Sequence, residues 1–240
     1  MAKSIVVDFS RPVPLFPLSG TVLLPHAMQG LHVFEPRYRQ MVEACLSEAK
    51  DGDLLTARPI AMATVEPTNL RRPGAPVPLR SAVCVGQIVR HERLEDGRHT
   101  IVLHGVCRAR IDRIEEPDGQ RLYRQAFLKP IEPTDRPVPR MPRARTALKE
   151  LLARPRVQRL ASARAATVWT RRQDVPTHAM VEIVGSALLQ DEPSRYALLA
   201  CGDPWERARM VAEAIAHLEG LVAGAESQHP EAWPKGLSWN

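Results

Sequence analysis

The stretch Leu31-His32-Val33-Phe34-Glu35-Pro36-Arg37-Tyr38 is where the apolar pattern of the chain changes. Pro36 has a φ already suited to a first helical turn and lacks an N–H that the turn would leave unpaired. Tyr38, Met41, Val42, Cys45, Leu46 and Ala49 then recur at helical spacing as one stripe, which Asp51-Gly52 ends. The spacing predicts a single helix starting at Pro36, set into a chain that otherwise reads as strands up to residue 132.

Upstream, Pro14-Leu15-Phe16-Pro17-Leu18 and Thr21-Val22-Leu23-Leu24 are short apolar runs joined by Ser19-Gly20. Pro12, Pro14, Pro17 and Pro25 cannot donate to a ladder, so both runs are expected as edge or irregular strands. Downstream, residues 81–94 and 98–103 flank Glu95-Asp96-Gly97, and residues 106–115 and 121–131 flank Pro117-Asp118-Gly119. Asp-Gly supplies the positive φ of a tight hairpin turn, so several antiparallel strands are expected to curl into a barrel. Residues 67–76 have no period and read as a surface loop. After the proline-rich link at 133–142 the period becomes helical. Leu148, Leu151 and Leu152 mark one helix before Pro155, residues 157–169 a second, and Val181, Val184, Ala187 and Leu188 a third. Asp203, Pro204 and Glu206 form a capping-box pattern for a last helix, buried along Ala208, Val211, Ala212, Ile215, Leu218 and Val222. The organisation is α+β by segregation: a β-rich part at 1–134, a helical part at 135–225, and a tail at 226–240 holding Trp233 and Trp239.

Composition is that of a globular chain, with 44% hydrophobic and 25% charged residues. No apolar run approaches about 18 residues and no signal-peptide pattern opens the chain, so membrane spanning and export are not expected. Cys45, Cys84, Cys107 and Cys201 lie far apart without a C-x-x-C pair, which points to ordinary thiols in a reducing cytoplasm. The net charge of +6 is uneven: 11 Lys+Arg stand against 3 Asp+Glu over residues 135–175, and 4 against 9 beyond them. Arg154, Arg156, Arg159 and Arg164, placed on one helix, would spread around it and make a solvated face. The competing reading is a phosphate-binding footprint, with Arg140, Arg143 and Arg145 as nucleic-acid contacts.

Catalytic patterns are missing from the sequence. There is no Gly-Lys dipeptide for a phosphate loop, no serine in G-x-S-x-G and no H-E-x-x-H. His99 and His104, five apart, fall on opposite faces of a regular strand and cannot share a ligand. His26, His32 and Glu35 form a thin donor set without a nearby cysteine, so no metal and no cofactor are expected. Glu115-Glu116 and Asp191-Glu192 read as solvated charge in turns.

The motifs themselves are distinctive. Pro14-Leu15-Phe16-Pro17-Leu18, Val22-Leu23-Leu24-Pro25 and above all Phe34-Glu35-Pro36-Arg37-Tyr38 resemble the signature of the Lon N-terminal domain family, the substrate-recognition domain of ATP-dependent Lon proteases. The resemblance extends through Asp96-Gly97-Arg98, the run Gly105-Val106-Cys107-Arg108-Ala109-Arg110-Ile111 and Trp205-Glu206-Arg207, over residues 12–222. Gly30 stands where the family often has a proline. The resemblance implies a PUA-like pseudo-β-barrel with one inserted helix, followed by a C-terminal helical subdomain. It implies a substrate-recognition role linked to proteolysis, with no ATPase, no Ser-Lys protease and no catalytic residue to carry over.

The expected function is therefore non-enzymatic binding of unfolded or exposed apolar polypeptide segments, with RNA binding through the arginine-rich segment as the alternative. Met28, His32, Phe34, Glu35, Arg37 and Tyr38 are the expected ligand-binding residues. Leu31, Phe34 and Tyr38 also suit a core role, and Glu35 and Arg37 a role in capping the helix. The loops at 25–30 and 69–78 are the expected contact surfaces, since loops on a rigid barrel commonly carry binding.

Overall fold

Gly97 adopts φ +77° and turns the chain back between two unusually long strands, β4 (Leu79–Arg93) and β5 (His99–Glu115). The computed structural model describes residues 5–67, 76–132 and 138–227. β4 and β5 pair antiparallel from Ala82↔Arg110 to Arg93↔His99, with register shifts at Val85/Gly86 and Ile88/Arg90. Each shift adds local twist and lets the pair coil instead of lying flat. The other strands are β1 (Val13–Leu18), β2 (Met28–Val33), β3 (Ile60–Val65) and β6 (Gln125–Pro130). The order β5-β4-β3-β1-β6 closes on itself through β5–β6 pairing, giving a five-stranded barrel in which β1 and β3 run parallel. β2 hangs outside the ring, paired to β5 alone. Leu15, Ala61, Ala63, Val83, Val85, Ala109 and Ala126 fill the barrel at 0% exposure; small residues predominate where facing strands converge.

Three local expectations are corrected here. β1 is not an edge strand: it pairs on both sides, antiparallel to β6 only at Val13 and Pro14 and parallel to β3 from Leu15 to Leu18. Residues 21–24 form no strand, yet Val22, Leu23 and Leu24 are almost fully buried, because this segment lies across the bend of the hairpin. The Leu24 carbonyl comes so close to Gly105 that a Cβ there would sit 2.1 Å from it. Gly105 therefore does not divide β5 into two strands, as its place between the runs 98–103 and 106–115 suggests; it lets one 17-residue strand pass beneath another segment. Residues 28–30, expected in a loop, are the first half of β2.

The inserted helix α1 (Pro36–Ser47) has Pro36 in its first turn and buries Tyr38, Met41, Val42 and Cys45. Glu35 occupies the N-cap position, but its side chain makes no capping bond; it pairs with Arg37 at 2.7 Å.

After residue 138 come α2 (Pro142–Ala153), α3 (Ala161–Thr170), α4 (Thr177–Leu188), α5 (Glu192–Ala200) and α6 (Pro204–Ser227). α6 continues to Ser227, past the expected end of the helical part; Trp233, Trp239 and most of the expected tail lie outside the described residues. The chain divides into two compact units, Met1–Val138 with Gln190–Pro204, and Pro139–Leu189 with Trp205–Asn240.

The reason residues 190–204 belong with the barrel is α5, an element the apolar period does not announce. Asp191 caps it by accepting from the Ser194 amide at 2.8 Å. The Gly20 amide donates to Glu192 at 2.6 Å, so the expectation of solvated charge at Asp191-Glu192 holds for the exposed Asp191 and not for Glu192. The Ala82 amide donates to the Tyr196 hydroxyl at 2.8 Å, and the Arg80 guanidinium stacks 3.5 Å from that ring. Arg108, 2% exposed, donates to the Leu199 carbonyl at 3.1 Å and to Glu132 at 2.6 Å.

In the second unit, Glu182 of α4 and Arg207 of α6 form an ion pair at 2.7 Å with both side chains 2% exposed. A buried carboxylate of this kind requires its cation, since either charge alone would be strongly destabilising. The arginines at 154–164 do not share one helix. Arg154 follows α2, Arg156 precedes and Arg159 ends a 3-10 turn at Val157–Arg159, and Arg164 lies on α3, so the four do not ring one helix axis. Arg154 pairs with Glu219 at 2.7 Å, and Arg156 and Arg159 both pair with Glu226.

Gly105→Ala should lower stability by about 1–3 kcal/mol, the usual cost of forcing atoms into a packed site, because the atom in the way is a backbone carbonyl. Gly30→Ala, where nothing lies within 4 Å of the new Cβ, should be near neutral. Urea unfolding midpoints of the two variants check this; equal midpoints would show that the close approach is not a constraint.

Candidate functional site

The hand of β2 sorts the candidate residues. Its side chains alternate, with Met28, Gly30 and His32 facing out and Val33 in, so Phe34 emerges at the surface beyond the strand. Met28 is 59% and Phe34 60% exposed, and the His32 and Phe34 rings are 6.4 Å apart. Phe34 is thus not a core residue, and Leu31 is only half-buried: the barrel closes without β2, leaving no second layer over it. Met28 and Phe34 stand at opposite ends of the strand with Gly30 and His32 between them, and exposed large apolar side chains on one face can mark an interaction surface.

The other three candidates gather elsewhere in the same unit. Glu35, Arg37 and Tyr38 line a cleft of about 590 Å³ together with Glu116, Tyr123 and Arg124 of the β5–β6 connection. Tyr38 is 6% exposed, its ring 4.6 Å from Phe16 and its face covered by Arg37 at 4.5 Å. Burial pushes the Tyr38 phenol above its ordinary value, so the hydroxyl stays protonated and able to donate. Arg124 donates to Glu116 at 2.9 Å and to the Val77 carbonyl at 2.7 Å. The cleft lining therefore carries two Glu–Arg pairs, Glu35–Arg37 and Glu116–Arg124, and within each the charges cancel. Gln40 of α1 holds the β5–β6 connection, donating to the Gln120 carbonyl and accepting from the Leu122 amide, both at 2.7 Å.

Sequence reasoning does not find Tyr123 and Arg124, which enter the cleft from more than 80 residues away. The available signal is the Pro117-Asp118-Gly119 turn, which fixes how far beyond it the chain rejoins the barrel. Glu116, expected as a solvated turn residue, is exposed, and it also lines the cleft and pairs with Arg124. Of the loop expected at 69–78, residues 69–75 lie outside the described residues; Pro76 and Val77 line the cleft.

A second polar cluster also goes unannounced. His99, 1% exposed, has its Nδ1 2.9 Å from His91 Nε2, and its Nε2 lies 3.5 Å from Glu43 of α1 with no hydrogen-bond partner. His104 makes a ring contact with His26 at 6.4 Å, so His99 and His104 keep separate company. Among the described residues no group of three or more His, Cys, Asp or Glu side chains could hold a metal ion. Cys45 and Cys107 are pushed up to about 12 by burial, which removes the thiolate a nucleophile needs. Of the proposed nucleic-acid contacts, Arg140 and Arg143 are exposed. Arg145 donates to the Thr177 hydroxyl at 3.3 Å and to the carbonyls of Arg172 and Val175.

The barrel unit thus carries one inserted helix, an exposed strip along β2 and a cleft with two Glu–Arg pairs. The chain belongs to the family described as the ATP-dependent protease La (LON) substrate-binding domain, whose profile matches residues 12–217. Solved structures share the fold, among them two Lon N-terminal domains. The N-terminal domain of Mycobacterium avium complex Lon protease superposes with a TM-score of 0.61 at 17% identity, covering 86% of this chain and 98% of that one. A Lon N-terminal domain protein from Xanthomonas campestris gives 0.54 at 22% identity, covering 84% and 96%. Among curated proteins, none shows significant sequence similarity to the chain.

Burial holds both His91 and His104 below the ordinary imidazole value, and His99 and Arg93 add to the effect at His91. The unfolded chain then takes up protons first as pH falls through about 6.5, so the folded state loses stability on acidification. Urea midpoints should decline from pH 7 to pH 5, and the decline should flatten in a His91→Asn/His104→Asn variant. An unchanged slope in that variant would refute the assignment.

Proposed function

We propose that this protein is a non-enzymatic binding module that takes unfolded or exposed apolar segments of polypeptides in the cytoplasm, on the barrel unit. The observation that carries the reading is the match of residues 12–217 to a substrate-binding domain family. Two features of the surface support it: the uncharged strip of Met28, His32 and Phe34, and the cleft of Tyr38 and Tyr123 with its balanced Glu–Arg pairs. Apolar contact supplies affinity without net charge, which suits clients defined by exposed hydrophobic sequence. A PUA-like relationship of the barrel fits the strand closure around one inserted helix.

The RNA reading has less support. Arg154, Arg156 and Arg159 are engaged by Glu219 and Glu226, and Arg145 by backbone carbonyls. Arginines already neutralised release fewer counterions on meeting a phosphate backbone.

Binding of reduced, carboxymethylated α-lactalbumin, a permanently unfolded probe, should change less than about threefold between 50 and 200 mM salt, where several phosphate contacts would give orders of magnitude. Met28→Asp/Phe34→Asp should weaken it about tenfold or more, consistent with the loss of two large apolar contacts. Tight RNA binding with a steep salt slope, abolished by replacing Arg140 and Arg143, would establish the alternative instead.

A further inference from the structure

Strand β2 pairs on one side only. Its partner is β5, in continuous register from Met28↔His104 to Val33↔His99, and no described residue pairs with its other side. The direction of its backbone groups follows from one bond at its start: the Gly105 amide donates to the Ala27 carbonyl at 2.9 Å. In an antiparallel ladder residues alternate between bonding to the partner and facing away. Gln29, Leu31 and Val33 therefore bond to β5, and Met28, Gly30 and His32 point their N–H and C=O groups outward. The Gly30 carbonyl confirms the phase, since it accepts from the Gln29 side-chain amide at 3.0 Å instead of from β5.

An open edge is normally blunted by lysine, proline, an inward charge or a bulge, because it is a template for pairing with another chain. None of these is present: Met28–Val33 contains no charged residue and no proline, and its register has no shift. The side chains facing out with these groups are Met28 and His32, with Phe34 just beyond. Between them Gly30 leaves open space, with nothing within 4 Å of where a Cβ would sit.

We infer that the outer edge of β2 binds an extended segment of an unfolded client by strand addition. The client's backbone pairs with Met28, Gly30 and His32, and an apolar side chain fills the gap over Gly30. This rests on the polypeptide-binding reading and specifies its mode. Backbone pairing gives affinity independent of client sequence, while the strip around Gly30 favours alternating apolar residues. A second copy of the chain is the less suitable occupant. Six residues at about 3.3 Å each make an edge about 20 Å long, and one strand's width along it covers a few hundred Å², below the roughly 1,200 Å² of a stable interface.

The test uses the full chain with reduced, carboxymethylated α-lactalbumin as probe. Gly30→Pro removes one outward N–H without touching the β5 ladder, as proline is tolerated on the free side of an edge strand. Gly30→Ala keeps that N–H, and Gly30→Lys keeps it while adding a blunting charge. Expected are a loss of about tenfold or more for Gly30→Pro and Gly30→Lys, a smaller loss for Gly30→Ala, whose methyl enters the gap but keeps the N–H, and slower amide exchange at Met28, Gly30 and His32 when the probe binds. If the probe binds wild type and Gly30→Pro equally, with those amides unchanged, strand addition is wrong while the polypeptide-binding reading stands. If the wild type does not bind the probe, both fail. Dimerisation of the protein that Gly30→Pro abolishes and the probe does not compete with would make a second copy the occupant and overturn the client assignment.

Discussion

One strand must serve three partners. β5 pairs with β4 from the hairpin turn inward, with β6 at its far end to close the barrel, and with β2 on its first six residues. A straight strand could not do all three within one small barrel, and the bend is set where the Leu24 carbonyl presses on Gly105. The absent side chain at that position lets residues 22–24 cross close to the backbone. With Cα hydrogens on that side, the hairpin coils far enough for β6 to meet both β1 and β5. The same geometry leaves β2 outside the closed ring, and its free edge and exposed Phe34 follow from that position.

The second dependency is electrostatic. Two buried guanidinium groups, Arg108 and Arg207, sit at 2% and 1% exposure in different units. Each has a carboxylate within 2.7 Å, Glu132 and Glu182 respectively. Arg108 also takes the Leu199 carbonyl, spending its fork on a helix end as well as on an acid. These are organising contacts: a guanidinium this buried is tolerated only where several acceptors converge, so it fixes which segments meet.

Elements whose local chemistry is self-contained were legible in the sequence. The β4–β5 hairpin was written in Asp96-Gly97, α1 in Pro36 and its stripe, and α6 in Pro204 and the residues that follow. Elements defined by distant partners were not. β1 carries prolines that argue for an edge, yet its parallel pairing to β3 places it inside the ring; α5 is short, and its Glu192, Tyr196 and Leu199 acquire meaning only against Gly20, Ala82 and Arg108. The candidate residues fared in the same way. The motif around Phe34-Glu35-Pro36-Arg37-Tyr38, with Met28 from the expected loop before it, gave six candidate positions, but not that β2's alternation would send Met28, His32 and Phe34 to one strip and the start of α1 would send Glu35, Arg37 and Tyr38 to a cleft. Tyr123 and Arg124 lacked any local mark.

The place of α5 in the chain bears on how the molecule is made. Its bonds to Gly20, Ala82 and Arg108 span 172, 114 and 91 residues. All the strands have left the ribosome well before this helix does, at a synthesis rate of about 5–20 residues per second. For those several seconds the Ala82 amide and the Arg108 guanidinium lack their α5 acceptors. A ladder formed in that interval would be open at that side, and the final ordering of the unit waits on a helix encoded after most of the other unit. Such long-range closure is slow by nature, and it places the vulnerable interval of this protein late in its synthesis.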